Sequence, residues 1–63
     1  MPQYIVFRPG AQLIVSAETM VRAIQSAMLH SGGLARDWTA HRLATYPAHL
    51  QTRLLRESTL IGA

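Results

Sequence analysis

The sequence contains no cysteine and no lysine, and only three acidic side chains, Glu18, Asp37 and Glu57, in 63 residues. Without Cys there is no disulfide, no thiolate metal site and no cysteine nucleophile. Three scattered carboxylates give no pair for general acid–base chemistry and no acid cluster that would imitate phosphates. Long apolar runs are also missing. The strongest are Ile5-Val6-Phe7 and Leu13-Ile14-Val15, far short of the roughly 20 residues that a spanning helix requires. A signal peptide would place a basic stretch ahead of about 7–15 apolar residues. Met-Pro-Gln-Tyr-Ile-Val-Phe-Arg-Pro breaks before that, so a cytoplasmic location is expected.

What is present is globular in character: 49% hydrophobic residues against 14% charged, a balance that favours a packed core over disorder. The length supports a single domain over residues 1–63. A chain of this size buries only about 60% of the surface its unfolded form exposes. With no covalent or metal cross-link, the remaining source of support is a partner, a second copy or another molecule.

Gln-Tyr-Ile-Val-Phe-Arg at 3–8 is rich in β-branched and aromatic residues and predicts a strand. Its alternation sets Tyr4, Val6 and Arg8 against Ile5 and Phe7. A second strand is expected over 12–17, with Leu13, Val15 and Ala17 opposite Ile14 and Ser16. Between them Pro9-Gly10 marks a hairpin. Because a type II turn matches strand twist poorly, a loop of four or five residues is expected. A helix follows, capped by Thr19 with Ser16 as the competing cap. Its apolar stripe is Met20, Ala23, Ile24, Ala27 and Met28, flanked by Val21. Ser31-Gly32-Gly33 ends it, with His30 in the last turn.

Residues 34–46 read two ways. As a helix, Asp37 caps it and Leu43 and Tyr46 extend a stripe toward Leu50 and Leu54. As a strand, Trp38, Ala40, Arg42, Ala44 and Tyr46 share a face. The recurring Ala and Leu favour the helix. Pro47 suits the first position of a further helix over 48–57, with Leu50, Leu54 and Leu55 as inward residues and Gln51, Arg53 and Arg56 outward. Ser58-Thr59 frays it. The fold expected is α+β: an N-terminal antiparallel hairpin packed by a helix, then one or two further helices.

From Tyr4 to Ala27 the chain has a short strand with Tyr4 near its start, a second strand ending Val15-Ser16-Ala17-Glu18-Thr19, and a helix with Ala23-Ile24 and Ala27 at fixed offsets. This strand-to-helix unit resembles one found in small phage and mobile-element accessory proteins, anti-CRISPR inhibitors among them. Val15 and Ala17 face the helix, and small residues at 23 and 27 let it lie close on the strands. The unit spans under half of the chain. Arg22 stands where such proteins often carry Glu, so their surface charge is not kept. The resemblance implies a non-enzymatic inhibitor or adaptor acting on a host protein or nucleoprotein. A strand, helix, Gly turn and helix order also has a likeness to ribbon-helix-helix repressors. Leu13-Ile14-Val15, however, offers no polar side chain with which to read DNA.

Three histidines, His30, His41 and His49, lack the close ligand pairs of a zinc site, so neither a metal nor another cofactor is expected. No nucleophile elbow or phosphate loop occurs, and a ligand-sized pocket is hard to build in so few residues; an enzyme is not expected. Arg36, Arg42, Arg53 and Arg56 concentrate positive charge in the second half of a chain of net charge +3. Beside Trp38 or Tyr46 they would suit phosphates and bases, or form an ordinary solvated face. Leu60 and Ile61 add an apolar tail that either folds back on the core or stays exposed. Residues 34–63 are therefore the expected partner surface, through Arg36, Trp38, Arg42, Tyr46, Arg53, Arg56, Leu60 and Ile61. The expected partner is a larger protein or nucleoprotein. Binding of nucleic acid by a dimeric regulator, and a structural subunit of an assembly, are the alternatives.

Overall fold

A computed structural model describes residues 1–62. The fold is α+β, with four strands and two α-helices. Strands β1 (Gln3–Arg8) and β2 (Ala11–Ser16) pair antiparallel from Gln3↔Ser16 to Arg8↔Ala11. Helix α1 (Met20–Ser31) follows, then β3 (Thr39–Arg42), α2 (Ala48–Glu57) and β4 (Thr59–Ile61). The sheet order is β3-β1-β2-β4, with β3 antiparallel to β1 and β4 parallel to β2.

The hairpin closes in two residues, Pro9-Gly10, rather than the four or five expected. Proline fixes a negative φ and Gly10 takes φ +86°, which are the requirements of the two central positions of a type II turn. Pairing therefore continues up to the turn despite its imperfect match to strand twist.

Strand alternation divides the core in two. Tyr4, Val6, Leu13, Val15, Ala17, Trp38 and Ala40 pack with Ala23 and Ala27 of α1. Ile5, Ile14 and Leu43 form a smaller cluster on the opposite face, with Tyr46 and Leu54 against it. Helix α1 is fixed at both ends. The Thr19 hydroxyl accepts from the Arg22 amide at 3.2 Å, and the Gly32 amide donates to the Met28 carbonyl at 2.7 Å. Ala23 and Ala27 are fully buried, so the helix backbone sits close on the strands. Met20, expected in the stripe, is exposed at the first turn.

The helix expected over 34–46 does not form. Two 3₁₀ turns, Ala35–Asp37 and Leu43–Thr45, flank β3. The expected cap Asp37 instead accepts from the Leu34 amide at 3.1 Å. Tertiary context decides this: β1 would otherwise present an unpaired edge, and a strand buries Trp38 and Ala40 together beneath α1. Leu43 and Tyr46 reach the other face through the second 3₁₀ turn. In α2, Leu50 and Leu54 turn inward as expected, but Leu55 is exposed. Gln51, expected outward, is half-buried and donates to the Tyr46 carbonyl at 2.7 Å. The tail does not fray: Ser58 caps α2 through its amide to the Leu54 carbonyl at 2.9 Å, and the chain returns as β4. Ile61 packs on the α1-side core, while its neighbour Leu60 is exposed. Among the described residues no helix is long and apolar enough to cross a membrane.

Candidate functional site

The two faces of the sheet are covered unequally. Helix α1 buries two alanines completely, whereas α2 buries none of its residues. The second face is thus a partly open surface. Period-two alternation in β1 sends Ile5 and Phe7 to it; Ile5 is buried under α2, but Phe7 is 36% exposed. On β4, Leu60 pairs in register with Ile14 and is 59% exposed.

Between this face and α2 runs a groove of about 350 Å³. Ile5, Phe7 and Gln12 come from the sheet, and Tyr46, Leu50, Arg53, Leu54 and Glu57 from the helix side. A ligand-sized depression was not expected from so short a chain. It exists because α2 has only 10 residues and rests on long Leu side chains rather than on alanines. Gln12 fixes one end by donating to the Ser58 hydroxyl at 2.6 Å.

An aromatic row borders the groove. The His41 ring stacks on Phe7 with centroids 6.1 Å apart and meets the edge of Tyr46 at 6.4 Å. On the rim, Arg53 Nε lies 2.6 Å from the Glu57 carboxylate, an exposed i,i+4 pair that contributes little to stability. Arg22, Arg36, Arg42 and Arg56 are exposed. Among the described residues the Arg53–Glu57 contact is the only ion pair, so the surface keeps a positive field.

The structure brings some of the expected site residues together and separates others. Tyr46 and Arg53 line the groove. Leu60 lies on the same sheet face, next to Ile14. Arg42 belongs to a second depression with Pro2, Gln3, Leu43 and Gln51. Ile61 points to the α1 side. Trp38 is a core residue: it is 5% exposed, and its Nε1 donates to the Gly32 carbonyl at 3.0 Å. The Arg8 guanidinium lies 5.3 Å over its ring and donates to the Ser31 carbonyl at 3.4 Å. Burial of Trp38 goes with the strand that follows it, because extended backbone sets Trp38 and Ala40 on the same face, in the α1-side core. Phe7 and His41 carry the open face and were not among the expected site residues. The alternation of β1 already set Phe7 apart from Val6, but the role of His41 depends on the strand reading of 39–42.

Among the described residues no three of the His, Asp and Glu side chains converge as metal ligands. His30 Nδ1 lies 3.0 Å from the Ser31 hydroxyl, and His41 is engaged with two aromatic rings. No protein-family model matches the chain, and neither a curated protein nor a solved structure matches it.

Proposed function

We infer that the chain is a small, non-enzymatic protein-binding module, and that the face carrying Phe7, Tyr46, Leu54 and Leu60 docks on a larger protein. The supporting observation is the unequal cover. Phe7 and Leu60 stay exposed on the sheet face that lies under α2, a helix that buries none of its own residues. Large apolar side chains left exposed on a small chain favour an interaction site. The arginines define the partner's character. A chain of net charge +3 with most of its Arg unpaired complements acidic surface and steers association toward it. Inhibition of a host protein or nucleoprotein, implied by the resemblance of residues 4–27, is one task such a module performs.

The groove itself does not favour catalysis, since its charged groups, Arg53 and Glu57, are engaged with each other. One observation favours a second reading. The exposed Phe7–His41 stack beside basic side chains offers a platform for a nucleic-acid base.

Affinity capture from the native host, with Phe7→Glu/Leu60→Glu as control, tests the inference. A larger protein retained at high salt by the parent and lost by the folded variant is the expected result. Equal capture by both overturns it. Capture that vanishes with salt or nuclease treatment supports the nucleic-acid reading instead.

A further inference from the structure

The groove between the sheet and α2 combines hydrocarbon walls with one charged pair. Ile5, Leu50 and Leu54 give it branched aliphatic surface, and Arg53 and Glu57 line it from the same helix. Its volume of about 350 Å³ lies at the low end of ligand-sized sites, roughly 300–1,000 Å³. That leaves room for one large apolar side chain and the backbone beside it. The His41 ring already stacks on Phe7 at 6.1 Å. What the groove itself presents is therefore aliphatic, and it suits a hydrocarbon side chain better than the flat face of a base, which needs a free aromatic ring.

Charge decides what stands next to that side chain. Helix α2 carries Arg53 and Arg56 against a single acid, Glu57. Arg53 meets Glu57 through Nε alone, at 2.6 Å, and its two terminal nitrogens make no hydrogen bond among the described residues. That free end is a planar fork matched to a carboxylate. The existing pair is a weak competitor for it. Its side chains are 72% and 52% exposed, and an exposed i,i+4 pair gains little over hydration. A partner that settles on the groove excludes water from Arg53, which strengthens its hold on an incoming carboxylate.

We propose that the groove receives an acidic segment of the partner protein. One large apolar side chain of the segment enters beside Phe7 and Leu54, and a neighbouring Asp or Glu carboxylate pairs with the free end of Arg53. Glu57 is then an internal stand-in for the partner's acid: it offsets the charge of Arg53 in the free chain and lowers affinity for the segment. This inference rests on the docking reading above and specifies what docks.

NMR titration of the full chain with two capped synthetic peptides tests it. One peptide has a Phe with two Asp on each side, and the other replaces every Asp with Asn. The acidic peptide is expected to shift the amides of the groove residues and to bind about tenfold tighter than its Asn counterpart. Arg53→Gln removes that preference. Glu57→Gln tightens binding of the acidic peptide by roughly twofold to fivefold, whereas loss of a merely structural contact would weaken it. Both side chains are exposed, so both variants keep the fold by circular dichroism. Absence of groove shifts with the acidic peptide, equal affinity for the two peptides, or a Glu57→Gln variant that binds no tighter overturns the proposal. So does an oligothymidylate that shifts these amides in place of the acidic peptide. The docking reading fails separately. Host capture that depends on Phe7 and Leu60, with a groove indifferent to both peptides, strikes the acidic segment and leaves the docking face. Peptide binding together with equal host capture by the parent and Phe7→Glu/Leu60→Glu does the reverse.

Discussion

The two helices cover the two faces of one sheet in opposite ways. Helix α1 presents Ala23 and Ala27 to Val6, Val15 and Ala40, and none of these groups keeps appreciable contact with water. Helix α2 presents Leu54 to Ile5 and Ile14 and Leu50 to the groove beside them, and both leucines remain half-exposed. Small residues bring a helix backbone onto the strands and seal the interface. Long ones hold it off and leave the lateral space that becomes a groove. The α1 side specifies the fold, and the α2 side is the face proposed for docking.

This contrast can be broken most severely from the α1 side. Trp38→Ala removes the largest buried ring of that core and its bond to Gly32. A loss of about 3–5 kcal/mol is expected, enough to unfold so small a chain, and urea denaturation would show it as the absence of a folded baseline. Gly33→Ala attacks the same corner through the backbone. Gly33 sits at φ +84°, where an added Cβ would lie 3.3 Å from Trp38 Nε1. About 1–3 kcal/mol of destabilisation is expected, read as a lowered denaturant midpoint with unchanged slope.

On the other face the same measurements should give smaller numbers. Leu54→Ala removes a half-buried side chain that borders an open groove and leaves no closed cavity. A cost of about 1 kcal/mol is expected, and a value equal to that of Trp38→Ala would erase the distinction between the faces. Arg53→Ala is smaller still. The pair with Glu57 is exposed on both sides, and its loss should shift stability by less than about 0.5 kcal/mol.

Much of the α1 side was legible in the sequence. The alternation Tyr4-Val6 against Ile5-Phe7, the Thr19 cap, the Ala23/Ala27 spacing and the Gly32 stop are local signals, and each appears as read. Three features were not legible, for separate reasons. The turn at Pro9-Gly10 was judged by its twist, but the proline's fixed φ and the glycine's freedom outweighed that mismatch. Residues 39–42 carry weak local preference, and the free edge of β1 with the cover of α1 made them a strand. That outcome moved Trp38 from a surface reading into the core and brought His41 beside Phe7. The tail became β4 because β2 offered an unpaired edge, a long-range fact with no local trace.

Of the candidate site, Tyr46, Arg53 and Leu60 were identifiable from composition and apolar excess. Their shared face was not, because it depends on where α2 comes to rest. The alternation of β1 set Phe7 with Ile5 on the face opposite Val6, although nothing in the sequence said that this face would stay open.

The contrast between the faces is most directly tested by amide hydrogen exchange, which resolves local from global opening. Amides of α1 and of the β1–β2 ladder should exchange only through global unfolding and share one protection factor. Amides of α2 should exchange faster, through local opening that leaves the rest of the chain folded. Protection in α2 equal to that in α1 would mean that the second face is sealed as firmly as the first, and would contradict its assignment as the surface kept for a partner.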